Sequence, residues 1–200
     1  MDILIEGYRQ FRKTIWPEDR ARYEALATWG QSPHTLVIAC SDSRVDPQTV
    51  FGAVPGELFV IRNIAGLVPP YTPDAGYHGT SAALEYGVRV LGVSRVVVLG
   101  HAQCGGVRAM VEGAPAEAQD FVAPWIEIAR PALALPPPEH AHALTHYENE
   151  VVRLSLANLM AFPWIDEAVR AGRLKLGGFR FDIHTGELSL LAGGNFEAVS

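Results

Sequence analysis

The sequence is short of three things, and each shortage closes off a class of function. Cysteine is scarce: Cys40 and Cys104 are the only two in 200 residues, too few for the disulfide framework of a small secreted domain. Positive charge is in the minority, with 16 Lys and Arg against 22 Asp and Glu and a net charge of −6. The basic residues are also scattered, so neither a nucleic-acid face nor a polybasic membrane patch is expected. Long apolar runs are missing: none approaches the ~20 residues of a membrane-spanning helix. The opening MDILIEGYRQFRK is too charged for a secretory signal. The expectation is a cytoplasmic protein with no nucleic-acid and no membrane partner, its cysteines kept as thiols.

What the chain does have is 48% hydrophobic residues, enough for one sizeable core. Ile3, Leu4, Tyr8 and Phe11 have helical spacing, and Trp16-Pro17-Glu18-Asp19 starts a second helix that stops near Gly30. The chain thus opens on a helical arm over residues 1–30, which either packs on its own domain or reaches a partner. Apolar runs at 35–39, 58–61 and 96–99 predict strands, and helices are predicted at 48–51, 81–91, 107–111, 125–129, 147–160 and 164–171. Pro131 should end the helix at 125–129. Residues 174–176, 179–183 and 188–191 read as further strands, the last two joined by a turn at His184-Thr185-Gly186-Glu187. Continuous apolar runs suit strands covered on both faces. Strands alternating with helices imply a single α/β domain over 1–200, with its core at 31–200. Its central sheet would be mostly parallel and flanked by helices, with an antiparallel edge at the C-terminus.

The chemistry-bearing residues stand where two of these runs stop. TLVIACSDSR (35–44) ends its strand in Cys40, with Asp42 and Arg44 at alternate positions beyond it. VVVLGHAQCGG (96–106) ends in His101 and Cys104. Ligands collect beyond the carboxyl ends of parallel strands, so Cys40 and His101 converge if the first and third strands are neighbours. Cys104 follows His101 by three residues, a spacing that turns both toward one point. The glycines after it lead into a helix whose N-terminal dipole favours the thiolate. Two thiolates and an imidazole are a soft set suited to zinc, and three protein ligands leave open the fourth tetrahedral position of a catalytic site. Asp42 has two roles open to it. Paired with Arg44 it accepts a proton; released, it becomes a fourth ligand and shuts the site. The plainer readings are buried thiols acting as small hydrophobes and a surface ion pair of little weight; the clustering of ligand types argues against both.

CSDSR at 40–44, PGELFVIRNIAGLV at 55–68 and GHAQCGG at 100–106 resemble the defining blocks of the β-class carbonic anhydrases. ALEYGV at 83–88 and FDIHTGEL at 181–188 are compatible with them, so the resemblance covers most of the chain. It implies one zinc ion per subunit on Cys40, His101 and Cys104, and an Asp42–Arg44 catalytic dyad. The implied reaction is reversible hydration of carbon dioxide to bicarbonate by zinc-bound hydroxide. A homodimer or a dimer of dimers is implied as well, with the site at the subunit interface and the arm clasping the partner. Gln31, Phe59, Ile64 and Tyr86 fall at positions that line the substrate pocket of plant-like members, and Gly105 joins them as a substrate-binding position. Gln31 would donate to bicarbonate, while Phe59 and Ile64 supply an apolar wall for carbon dioxide.

Two departures are informative. Ala102 stands where a serine often follows the histidine, and Val37 stands where members with a second, inhibitory bicarbonate pocket carry tryptophan. Val37 with Gln31 implies the open subtype, in which Arg44 holds Asp42 at neutral pH. Two rival readings use the same residues. One is a hydrolase of carbonyl sulfide or carbon disulfide; the other is a non-enzymatic zinc or redox-sensing module with Asp42 as a permanent fourth ligand. Elsewhere, His140, His142 and His146 read as solvated histidines ahead of a helix rather than a second metal site. His34, His78 and His184 are assigned no role, and Trp125, Phe162 and Trp164 read as core.

Overall fold

The computed structural model describes residues 1–139 and 142–200. Its frame is one six-stranded sheet, and the first five strands of it lie close to the apolar runs. The chain opens on α1 (Asp2–Thr14) and α2 (Trp16–Trp29), neither of which buries a residue. Then come β1 (Thr35–Cys40), α3 (Pro47–Val50), β2 (Leu58–Asn63), α4 (Gly79–Glu85), β3 (Arg95–His101) and α5 (Gly105–Glu112). The second half holds α6 (Val122–Ile126), α7 (Ala143–Met160), α8 (Pro163–Arg170), β4 (Lys175–Phe181), β5 (Leu188–Ala192) and β6 (Asn195–Ala198). The sheet order is β2-β1-β3-β4-β5-β6. The first four strands are parallel and the last two antiparallel. Among the described residues no helix is long and apolar enough to cross a membrane.

β1 is buried along its whole length, because it lies between two other strands, with helices over one face and the segment around Val45–Phe51 with Phe179 against the other. Leu36, Ile38, Val96 and Val98 face a layer containing Leu84 of α4, Val152 and Leu159 of α7 and Ile165 of α8. Each such buried Leu, Ile or Val contributes about 1.5–3 kcal/mol. The alternate residues Val37, Ala39, Val97 and Leu99 turn the other way, toward Val45, Phe51 and Phe179.

Four elements differ from expectation. The helix predicted at 81–91 starts at Gly79 and loosens into a π turn over Tyr86–Val90. Pro131 does not stop the chain's coiling: after α6 a tighter 3₁₀ coil runs over Glu127–Ala134 and carries Pro131 inside it. The two strands predicted at 174–176 and 179–183 are one, β4. Gly177-Gly178 looks like a break in the apolar run, yet at Gly178 the missing side chain admits α7. A Cβ there would sit 2.9 Å from both Leu156 Cδ1 and Val152 Cγ1. β6 is an addition; with one large apolar residue, Phe196, in four, it carries almost no strand signal. Phe162 is core, whereas Trp125 and Trp164 are only half buried. His142 stands exposed at the N-cap position of α7 without a side-chain capping bond, and His146 Nε2 pairs with the Leu135 carbonyl at 2.8 Å. His140 lies outside the described residues.

Candidate metal centre

β1 and β3 pair directly, Thr35 to Ala39 against Arg95 to Leu99, so their carboxyl ends finish side by side. Cys40 is the last residue of β1, His101 the last of β3, and Cys104 the residue before α5. One ligand atom from each lies within 4.8 Å of the others, and all three residues are buried. The sulfurs of Cys40 and Cys104 are 3.9 Å apart.

Three features show that this set fits a soft divalent cation. His101 Nδ1 pairs with the carbonyl of Ala102 at 2.8 Å, which leaves the lone pair on Nε2 facing the sulfurs. That Nε2 is buried without any hydrogen-bond partner, an exceptional condition for a polar atom in a folded core. The thiols are the third feature. The hydrogen bond from Cys104 pushes the Cys40 thiol down to about 4, and the same contact together with burial drives the Cys104 thiol up. One thiolate forms readily, and the second needs a compensating positive charge. Zinc matches that demand.

Asp42 stands beside this cluster but belongs to Arg44. Its Oδ1 accepts the backbone N–H and Nε of Arg44, both at 2.9 Å, and its Oδ2 accepts Nη2 at 2.7 Å. The Arg44 side chain holds the Asp42 carboxyl well below the usual carboxylate range, against the opposing effect of burial. Oδ2 also lies 3.9 Å from His101 Nε2, so the carboxylate overlooks the cluster without entering it. Arg44 is fixed in turn by the carbonyl of Gln103 at 3.0 Å. Gln103 presents that carbonyl from a left-handed backbone conformation, φ 57°, a strain that non-glycine residues hold mainly at functional sites. On the other side, Arg62 of β2 donates to the carbonyls of Cys40 at 3.0 Å, Asp42 at 2.6 Å and Val45 at 2.7 Å.

The cavity in front of Cys40 and Asp42 has a volume of about 310 Å³, with Ile64, Gly105 and Val122 among its walls. Trp125 Nε1 donates to the Ile64 carbonyl at 2.8 Å and pins that wall. Of the other pocket residues expected from the sequence, none lines this cavity. Phe59 and Tyr86 pair with each other, rings 6.0 Å apart, at the β2 edge of the sheet. Gln31 is exposed in the link between α2 and β1.

Sequence reasoning missed Arg62, the Gln103 carbonyl and a buried pair, Glu148 and Arg180, whose ionic contact is 3.0 Å. Glu148 did leave a signal: it is a carboxylate on the face of α7 that buries Leu144, Val151, Val152 and Leu159. The backbone carbonyls left none, since any residue type supplies one.

Comparison with known proteins agrees with the chemistry. A carbonic anhydrase of Pseudomonas aeruginosa is 40% identical over 201 residues, covering 98% of this chain and 90% of that protein. The chloroplastic β carbonic anhydrase 5 of Arabidopsis thaliana is 39% identical over 186 residues, 88% of this chain and 60% of the relative. Among solved structures, the β-carbonic anhydrase CcaA matches with a TM-score of 0.89 at 31% identity, covering 100% of this chain and 99% of that one. A structure from the study of two tetrameric β-carbonic anhydrases of Sordaria macrospora matches with a TM-score of 0.80 at 26% identity, covering 100% of this chain and 98% of that one. The family model described as carbonic anhydrase matches residues 35–188, from the first residue of β1 to the first of β5. The chain therefore belongs to the carbonic anhydrase family, and to its β class.

Proposed function

We propose that this chain interconverts carbon dioxide and bicarbonate at a zinc ion held by Cys40, His101 and Cys104, with Asp42 and Arg44 as its catalytic dyad. The observation that carries the reading is the buried, unpartnered His101 Nε2 facing two thiols while Arg44 keeps the neighbouring carboxylate occupied. Bound zinc supplies Lewis acidity at the open corner of this ligand set. Asp42 offers Oδ2 as the proton acceptor, and Arg44 keeps it ionised and aimed. Ile64 and Val122 give an apolar wall to a substrate that forms few hydrogen bonds. Arg44 in its clamped position supports the open subtype, in which Asp42 is a base and not a ligand. The free thiols support a reducing, cytoplasmic setting.

The reading extends to a homodimer or dimer of dimers. Gln31, Phe59 and Tyr86 serve a substrate pocket only if a second subunit brings them to it. The exposed Ile3, Leu4, Tyr8 and Trp29 of the arm support a role in that contact. Stopped-flow hydration of carbon dioxide by the zinc-loaded protein tests the chemistry: rapid hydration is expected. Negligible turnover beside rapid sulfide release from carbonyl sulfide would overturn it. Sedimentation of the full chain, compared with a chain lacking residues 1–30, tests the assembly. The first should sediment as a dimer or tetramer and the second as a smaller species.

A further inference from the structure

Glu148 is 2% exposed on the apolar face of α7, a location where an unpaired carboxylate would be strongly unfavourable. Both of its oxygens are engaged. Oε1 accepts the backbone N–H of Cys104 at 3.3 Å, and Oε2 accepts Nε and Nη2 of Arg180 at 3.1 and 3.0 Å. Arg180 sits in β4 opposite Gly100 of β3, and its Nη1 donates to Asp182 Oδ2 at 3.4 Å. A chain of contacts thus runs from Cys104 through the buried Glu148 and the mostly buried Arg180 to a more exposed aspartate. Gly100 is what lets α7 come down far enough to make it. A Cβ at that position would lie 2.6 Å from Val152 Cγ2, so a larger residue would lift α7, and Glu148 with it, away from Cys104. A buried ion pair adds little stability beyond what apolar packing would give, so stability alone does not explain one that touches a ligand residue.

We propose that Glu148 is a positioning residue for the metal centre: it fixes Cys104 through that residue's backbone N–H, Arg180 holds the carboxylate in place, and the pair sets how tightly zinc is retained. The proposal rests on Cys40, His101 and Cys104 being the zinc site. Contacts behind metal ligands typically change affinity by about 10–100-fold. Glu148 touches no reacting atom, so its effect is on retention of the ion.

Zinc Kd, measured by competition with a chromophoric chelator at one fixed pH, separates positioning from a merely structural ion pair. Glu148→Asp keeps the charge but draws both oxygens back by one methylene; the long Arg180 side chain can follow the carboxylate, whereas the Cys104 backbone amide cannot. Glu148→Gln keeps an acceptor oxygen at the right reach but loses the charge. Zinc binding should weaken about tenfold or more in Glu148→Asp and less than about threefold in Glu148→Gln. A structural ion pair predicts the reverse order, since only aspartate preserves it. Wild-type affinity in Glu148→Asp, or a larger loss in Glu148→Gln, overturns the proposal. If Glu148→Asp does not fold, the double variant Glu148→Leu/Arg180→Leu, which replaces the pair by apolar groups, takes its place; unchanged zinc affinity there overturns the proposal equally. Failure of the wild-type chain to bind zinc would overturn the metal reading itself, a distinct result.

Discussion

The two ends of the parallel sheet hold cavities that differ in size and, more sharply, in chemistry. At the amino ends, the first residues of four strands, Thr35, Leu58, Arg95 and Lys175, surround a hollow of about 600 Å³ walled by Val37, Val97 and Phe179. At the carboxyl ends the cavity is about 310 Å³, yet it holds Cys40, and among the described residues the only metal-ligating cluster is the one Cys40 joins. All four parallel strands point the same way, so one end of the sheet gathers strand ends and the starts of the helices that follow. Donors and positive dipole ends meet there, and the other end receives mainly apolar side chains. Direction of the chain, more than room, decides where chemistry can be built.

The sharpest test of that contrast removes a ligand at the small end. Cys104→Ala should lose bound zinc, by metal analysis, and reduce carbon dioxide hydration on the order of a thousandfold or more. Next in size is Asp42→Asn, which should retain zinc while kcat falls about 10²–10⁴-fold; undiminished turnover would strip the dyad of its role. Arg44→Ala frees the carboxylate without removing it, and a loss of about 10–100-fold in kcat/KM at neutral pH is expected.

A smaller effect concerns stability against pH. A carboxyl held below its ordinary range stabilises the fold above the unfolded-state pKa of about 3.9, and loses that contribution as pH falls through the lower folded value. Arg44 holds Asp42 in this way, so the stability gap between wild type and Asp42→Asn, read from urea unfolding, should stay flat from about pH 8 to 5 and close below about pH 4. Least of all should come from the large end. Leu190→Ser in the wall of the larger hollow should leave kcat/KM within about twofold and cost about 1 kcal/mol of stability. A tenfold fall in activity there would break the contrast.

Much of this was legible because hydrophobic runs and ligand residues are both written in residue types. β1, β2 and β3 are runs that solvent would not tolerate, and Cys40, His101 and Cys104 stand where two of those runs stop. Asp42 with Arg44 was legible as a pair because opposite charges two residues apart can meet, here across a tight turn in which the Arg44 N–H also donates to Asp42 Oδ1. What escaped depends on contacts between segments far apart in the chain. β4 was split in two because a strand containing Gly177-Gly178 makes sense only with α7 pressed against it. Glu148 could be flagged as out of place, but its partners, Cys104 and Arg180, stand 44 and 32 residues away in the sequence. The location of Phe59 and Tyr86 away from the Cys40 cavity was equally beyond a linear reading.

Arg62 carries a consequence for how the site is held. Its guanidinium gathers the carbonyls of Cys40, Asp42 and Val45, so the turn bearing Cys40 and Asp42 is fastened to the neighbouring strand. A zinc finger acquires its shape when metal arrives. Here hydrogen bonds from β2 to the turn on β1 supply part of the cradle's order from within the protein. Chelation should therefore leave the far-ultraviolet circular dichroism unchanged, and zinc added back should restore turnover as fast as the ion is delivered. That outcome would make loading a capture of the ion on a finished surface, governed by ion supply instead of refolding.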